Sequence, residues 1–191
     1  MKTSKNIKEF DFRKVQRLSK FQIEPLQGVF ENFSRLTGLY LSTELRCQVN
    51  TKFLSLKEEK YTEFINTLQN PTIIGVLKLP PFDKEMFIEM NPTLSYIMIE
   101  RLLGASSFTE AQTRTFTEIE LKLTERIIKK LIDLLTECFR NLFPEIKSGE
   151  FQRLEFNPQV IRLCQDNESI ISALAQISVT GGKEITISFC M

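Results

Sequence analysis

Apolar residues recur at close to helical spacing at Phe21, Leu26, Val29, Phe30, Phe33, Leu36, Tyr40 and Leu41. The pattern predicts a long amphipathic helix over about residues 21–45, opened by a capping box, Ser19-x-x-Gln22. Pro25 lacks a backbone donor, so the helix starts at Pro25 or kinks there. From Cys47 the period changes to two. Cys47, Val49, Thr51 and Phe53 alternate with Gln48, Asn50 and Lys52, as a half-buried strand requires. Residues 61–68 read as a short helix ended by Asn70-Pro71, and residues 73–79 as a strand apolar on both faces. After a turn at Pro80-Pro81, Met86, Ile88 and Met90 form one face of the next strand. Asn91 as N-cap and Pro92 in the first turn start another helix, with Leu94, Ile97, Met98, Leu102 and Leu103 as its buried face and Gly104 as its stop.

After a long polar stretch, residues 104–116, the same order begins again. A second capping box, Thr117-x-x-Glu120, opens a helix striped by Ile119, Leu123, Ile127, Leu131, Leu134, Leu135 and Cys138. Ile128, Ile132 and Phe139 widen the stripe, so this helix is buried on more than one side. Residues 151–156 read as a strand ended by Asn157-Pro158. Ile171, Ala173, Ala175, Ile177 and Val179 alternate, Gly181-Gly182 signals a hairpin, and Ile185, Ile187 and Phe189 return. The expected fold is therefore an α/β tandem repeat of helix-strand-helix-strand-strand units. Its two halves, about 19–103 and 117–191, pack around one core with a pseudo-twofold axis. A helix follows the last strand of the first half and none follows in the second, as expected of a domain excised from a longer protein.

Composition changes this picture mainly by exclusion. The 25 basic and 24 acidic residues nearly cancel, which gives no global pull toward nucleic acid or membrane. No apolar run approaches the roughly 20 residues that cross a bilayer, and a cytoplasmic protein is the default. Residues 1–18 are basic and polar, and read as a loosely ordered arm or as an electrostatic contact to an acidic partner. Cys47, Cys138, Cys164 and Cys190 are widely spaced and read as reduced, mostly buried thiols. The chain has no histidine, which removes the commonest general base and metal ligand and argues against zinc. No phosphate loop, nucleophile elbow or HExxH motif occurs. No catalytic residue, cofactor or metal is therefore expected. The segment Leu102-Leu103-Gly104-Ala105-Ser106-Ser107, at the joint of the halves, is the most interesting surface candidate. A helix C-cap followed by a linker accounts for it equally well.

A series of short motifs carries a resemblance over roughly residues 10–191. They are Asp11-Phe12-Arg13, Arg17-Leu18-Ser19-Lys20, Glu31-Asn32-Phe33-Ser34-Arg35-Leu36, Tyr61-Thr62-Glu63-Phe64, Asn70-Pro71-Thr72, Glu89-Met90-Asn91-Pro92, Arg101-Leu102-Leu103-Gly104 and Thr117-Glu118-Ile119-Glu120. In order and spacing they resemble the middle domain of the flagellar motor switch protein FliM. The resemblance implies the pseudo-symmetric sandwich shared with the CheC and CheX phosphatases. It implies a non-enzymatic role in the cytoplasmic ring of the flagellar motor, at the cytoplasmic face of the inner membrane. The partners implied are FliG and neighbouring FliM copies, with the signal of phosphorylated CheY relayed to rotation direction. CheY and FliN would be met mainly through segments not visible here, which again fits an excised middle domain.

In the family a Gly-Gly-x-Gly loop contacts FliG. It maps onto Gly104-Ala105-Ser106-Ser107, where only the first glycine is kept. If the second or fourth position needs φ > 0, Ala or Ser there costs on the order of 1–2 kcal/mol. The expected FliG-binding residues are Arg101, Leu103, Gly104, Ala105, Ser106, Ser107 and Phe108. The alternative is a CheC-type phosphatase of phosphorylated CheY, which places Glu-x-x-Asn on a long surface helix. The one match, Glu63-x-x-Asn66, lies in the short helical segment instead.

Overall fold

The computed structural model describes residues 20–105, 114–179 and 184–191. The helices are α1 (Lys20–Leu45), α2 (Tyr61–Thr67), α3 (Pro92–Leu102) and α4 (Glu118–Arg140). The strands are β1 (Val49–Lys60), β2 (Ile73–Lys78), β3 (Met86–Met90), β4 (Glu150–Glu155), β5 (Ser169–Val179) and β6 (Glu184–Cys190), and a 3-10 turn covers Pro158–Val160. All six strands join one antiparallel sheet in the order β1-β5-β6-β3-β2-β4. Exchanging β1, β2 and β3 with β4, β5 and β6 reverses that order and so leaves the sheet unchanged. The expected pseudo-twofold is thus present, and it passes through the central β3–β6 pair.

Burial explains the layers. Alternate residues of the sheet, among them Ile73, Leu77, Met86, Ile88, Ile177, Ile187 and Phe189, face α1, α3 and α4 in the larger core. The intervening set, Ile74, Val76, Phe87, Ile170 and Cys190, faces α2 and the 3-10 turn through Tyr61, Phe64, Ile65 and Ile161. The two small elements meet each other: Tyr61 Oη donates to the Ile161 carbonyl at 2.5 Å, and burial pushes the phenol up to about 12. The long helices approach closely at their own halves. A side chain at Gly38 of α1 would meet Thr51 Oγ1 of β1 at 2.6 Å, and one at Gly149 would meet Ile132 Cγ2 of α4 at 2.6 Å. The outermost strands β1 and β4 are each interrupted by a register shift, at Phe53/Ser55 and opposite Val76/Leu77. Both carry exposed charge, Lys52 and Lys57 on one and Arg153 on the other, which blunts edge-to-edge pairing.

Several expectations need correction. Helix α1 does not start at Pro25, but runs through it from Lys20. Pro25 is exposed and lies near the helix start, where one lost hydrogen bond is tolerable. Ile119 and Leu103, both expected on buried faces, are 68% and 67% exposed. Each sits at a helix end next to the joint, beyond the turns that reach the core. Cys47 and Cys164 are only half-buried, whereas Cys138 and Cys190 are buried; all four are free thiols. The Ser19-x-x-Gln22 box and the Gly181-Gly182 hairpin lie outside the described residues and side chains. No described helix is long and apolar enough to cross a membrane.

One buried acid departs from the pattern. Glu89, in the middle of β3, is 5% exposed on the face covered by α2. Thr72 Oγ1 donates to its carboxylate at 2.5 Å and Ser188 also hydrogen-bonds to it, yet burial raises its pKa above 4.5. A folded-state pKa above the unfolded value means that the native state binds the proton more tightly. Stability then falls as pH rises from about 4.5 through the folded pKa. Glu89→Gln should flatten that decline, so melting temperatures of the two chains should diverge in favour of the variant as pH rises above about 4.5.

Candidate partner-binding site

The joint between the halves is held at both ends by ordinary helix chemistry. Asn91 Oδ1 accepts from the Thr93 amide at 2.8 Å and Pro92 fills the first turn, which starts α3. At its other end Leu103 is the C-cap and Gly104 has φ +94°. The Gly104 amide donates to the Arg101 carbonyl at 3.0 Å and the Ala105 amide to the Glu100 carbonyl at 2.9 Å. This pair of bonds is a Schellman motif, which glycine permits at little steric cost. Arg101 Nη1 donates to the Ala105 carbonyl at 3.2 Å, so the arginine braces the turn from its own helix.

Four of the seven expected site residues can be placed in this geometry, since Ser106, Ser107 and Phe108 lie outside the described residues. Arg101, Leu103, Gly104 and Ala105 are brought together on one turn, with Leu103 exposed and open space around the Gly104 Cα. Among the described non-glycine residues only Arg46 has positive φ. Ala105 is therefore unstrained, and the cost anticipated for a left-handed second position does not arise there.

The chain returns at Arg114, and here the sequence reading missed a cluster. Tyr96 Oη of α3 donates to the Arg114 carbonyl. The Tyr96 ring stacks on Phe116 with centroids 4.4 Å apart and planes 10° from parallel, and the Arg114 guanidinium lies 5.1 Å from the same ring. Arg114 also forms a bidentate pair with Glu120, at 2.8 and 2.5 Å. Glu120 completes the predicted capping box of α4: it accepts from the Thr117 amide at 2.8 Å while its own amide donates to Thr117 Oγ1 at 3.3 Å. The Arg114 hydrogen bonds, reinforced by Thr117, hold the Glu120 carboxyl down at about 2. This depressed pKa contributes stability above about pH 4.5 that is lost as pH falls toward 2. Only the capping box was legible beforehand, because ring stacking between positions 96 and 116 has no local sequence signal.

Other chemistry is sparse. Among the described residues no three Cys, Asp or Glu side chains converge as a metal cage. Burial pushes the Cys138 and Cys164 thiols up to about 11 and holds Cys190 well above the usual thiol range, which makes them poor nucleophiles. Glu63 and Asn66 are exposed on the seven-residue α2, not on either long helix.

Comparison with known proteins places this arrangement. The chain is 29% identical over 189 residues to flagellar motor switch protein FliM of Bacillus subtilis, covering 98% of this chain and 55% of that protein. It spans about half the length of the curated relatives it matches. Its structure superposes with a TM-score of 0.83 on a chain of the FliG–FliM complex from H. pylori, at 25% identity, covering 91% of this chain and 93% of that one. The chemotaxis protein CheX from Vibrio vulnificus matches with a TM-score of 0.50 at 13% identity, covering 85% and 97%, which bears on the fold alone. The family model for flagellar motor switch protein FliM matches residues 19–191. By this match over nearly its whole length, with the fold in agreement, the chain belongs to the FliM family.

Proposed function

We propose that residues 19–191 act as a non-enzymatic component of the flagellar motor switch ring. The unit is built of two similar halves, about 19–103 and 117–191. It binds FliG through the joint, meets neighbouring copies of its own kind, and relays the signal of phosphorylated CheY to rotation direction. The observation that carries the reading is the exposed turn at Leu103 and Gly104 of a FliM-family fold whose solved relative was crystallised as a FliG–FliM complex. Arg101, Leu103, Gly104 and Ala105 present an apolar residue and open backbone on a braced turn, with Ser106, Ser107 and Phe108 following in the chain. Such a surface suits a partner that supplies an apolar patch and backbone-level contact, with a polar rim around it. Exposed Leu39 on α1 and Leu54 on β1 offer apolar surface for neighbouring copies. Attachment to the membrane would be through the motor alone.

The phosphatase alternative has less to support it. Its Glu-x-x-Asn pair needs a long helix to present an amide toward an attacking water, and α2 has seven residues. Titrating the chain with the middle-to-C-terminal region of FliG, followed by backbone amide NMR, should shift signals of residues 101–105 and 114–117. The same chain added to phosphorylated CheY should leave its dephosphorylation rate unchanged; acceleration would favour the enzyme instead.

The altered glycine pattern gives a second test. Because Ala105 is unstrained, Ala105→Gly adds backbone freedom without relieving strain. FliG binding should weaken about 5-fold, the equivalent of roughly 1 kcal/mol of extra ordering entropy. Unchanged affinity by calorimetry would count against the joint as the contact.

A further inference from the structure

We infer that Tyr96, Arg114, Phe116 and Glu120 are positioning residues for partner capture, fixing the place at which the chain returns from the joint to α4 relative to the Gly104 turn. The inference rests on the reading of the joint as the FliG contact. The capping box alone satisfies the start of α4, since Thr117 and Glu120 exchange bonds with each other's backbone amides. The remaining ties serve a segment outside the helix. Tyr96 holds the Arg114 carbonyl and stacks on Phe116, and Phe116 in turn stacks on Phe156 with centroids 6.5 Å apart. Arg114 spans the Tyr96 ring and the Glu120 carboxylate, with a further bond from Nη1 to the Thr115 carbonyl at 3.1 Å.

These ties lie at the margin of the larger core, against which Phe116 and Phe156 pack, with Tyr96 and Glu120 both buried. The Arg114 side chain is 47% exposed and that of Glu120 only 10%, so the pair neutralises a buried carboxylate from the solvent side. Its second effect is geometric. Tyr96 lies on α3, the helix that ends in the Gly104 turn, so the turn and the Tyr96 ring belong to one rigid element. Anchoring Arg114 and Phe116 to that ring sets the separation between the two ends of the joint before any partner arrives. A partner that contacts both ends then has less ordering to impose, which raises affinity without adding a contact.

The test measures FliG affinity and melting temperature together, on the whole chain. Phe116→Leu, which keeps an apolar residue and loses the stack, should bind FliG about 5-fold more weakly or worse. Phe116→Tyr, which keeps the ring, should restore binding. Arg114→Lys keeps a cation beside the buried Glu120 carboxylate and loses the bidentate pair; it should weaken binding more than it lowers melting temperature, and it decides the matter if Phe116→Leu fails to fold. A purely structural role would move melting temperature and leave affinity of the folded protein alone, and that result overturns the inference. Unmodified chain that does not bind FliG overturns the reading of the joint instead.

Discussion

Phe139→Ala should lower the stability of this chain by about 3–5 kcal/mol, the largest loss expected from a single truncation. Phe139 is 1% exposed near the end of α4, where three other rings surround it. Its centroid lies 5.9 Å from Phe30 of α1 in an edge-on arrangement, 6.2 Å from Phe143 and 6.5 Å from Phe189 of β6. Phe30 and Phe189 are themselves 5.0 Å apart. One side chain therefore joins the long helix of each half to a central strand of the sheet. Its removal leaves a cavity walled by a helix, a helix and a sheet, none of which can close it without moving the others. Against a typical domain stability of about 5–15 kcal/mol, the variant stands near the edge of unfolding. In urea the midpoint should fall while the slope is kept, since the surface exposed on unfolding hardly changes. A midpoint within experimental error of the parent would mean that the rings do not form the hub described here.

How much of this was legible depends on the range over which each signal acts. The long stripe of α4, the alternation of β3 and β6, and the caps at Asn91 and Thr117 are local, and they place those elements within a residue or two. Strand order is not local. That β5 and β6 lie between β1 and β3 follows from the tandem repeat only once two halves are allowed to share one sheet. The exposure of Leu103 and Ile119 escaped periodicity because a stripe does not say where the core ends along a helix. Pro25 was misjudged because its cost depends on distance from the helix start, and Lys20 as the first helical residue was not visible in the pattern. At the candidate site, Gly104 could be read as a stop, but the Tyr96–Phe116 stack and the Arg114–Glu120 pair could not. Arg114 and Phe116 sat in what reads as polar linker, and their partners Tyr96 and Glu120 in the helices on either side. A twofold-symmetric fold has one joint, so whatever is specific to it lacks a repeat from which to infer it.

Gly75→Ala should destabilise the chain by about 1–3 kcal/mol or more, although it adds one carbon. Gly75 pairs with Ile88 and Leu154 on the two strands beside β2 and turns its face toward α4. A Cβ there would overlap Ile128 Cγ2 and come within 3.0 Å of Ile128 Cδ1. Ile128 is fully buried and β-branched, so it has few rotamers into which to withdraw. The glycine is thus what lets α4 lie close on β2, a strand of the other half, as Gly38 lets α1 lie close on β1. Ile128→Ala alone opens a cavity and should cost about 2–5 kcal/mol. Together the two substitutions fill part of that cavity with the new methyl group, so the double variant should be more stable than the sum of the single losses predicts, by at least about 1 kcal/mol. Simple additivity in the double-mutant cycle would mean that Gly75 and Ile128 do not touch and that α4 packs on β2 in another way. The same cycle bears on function. Helix α4 carries Glu120 at its start and Ile128 about two turns later, so a helix displaced at Ile128 also displaces the Arg114 and Thr117 contacts at the joint. Gly75→Ala should therefore weaken FliG binding along with stability, and Ile128→Ala in the same chain, by letting α4 settle back, should recover part of the binding.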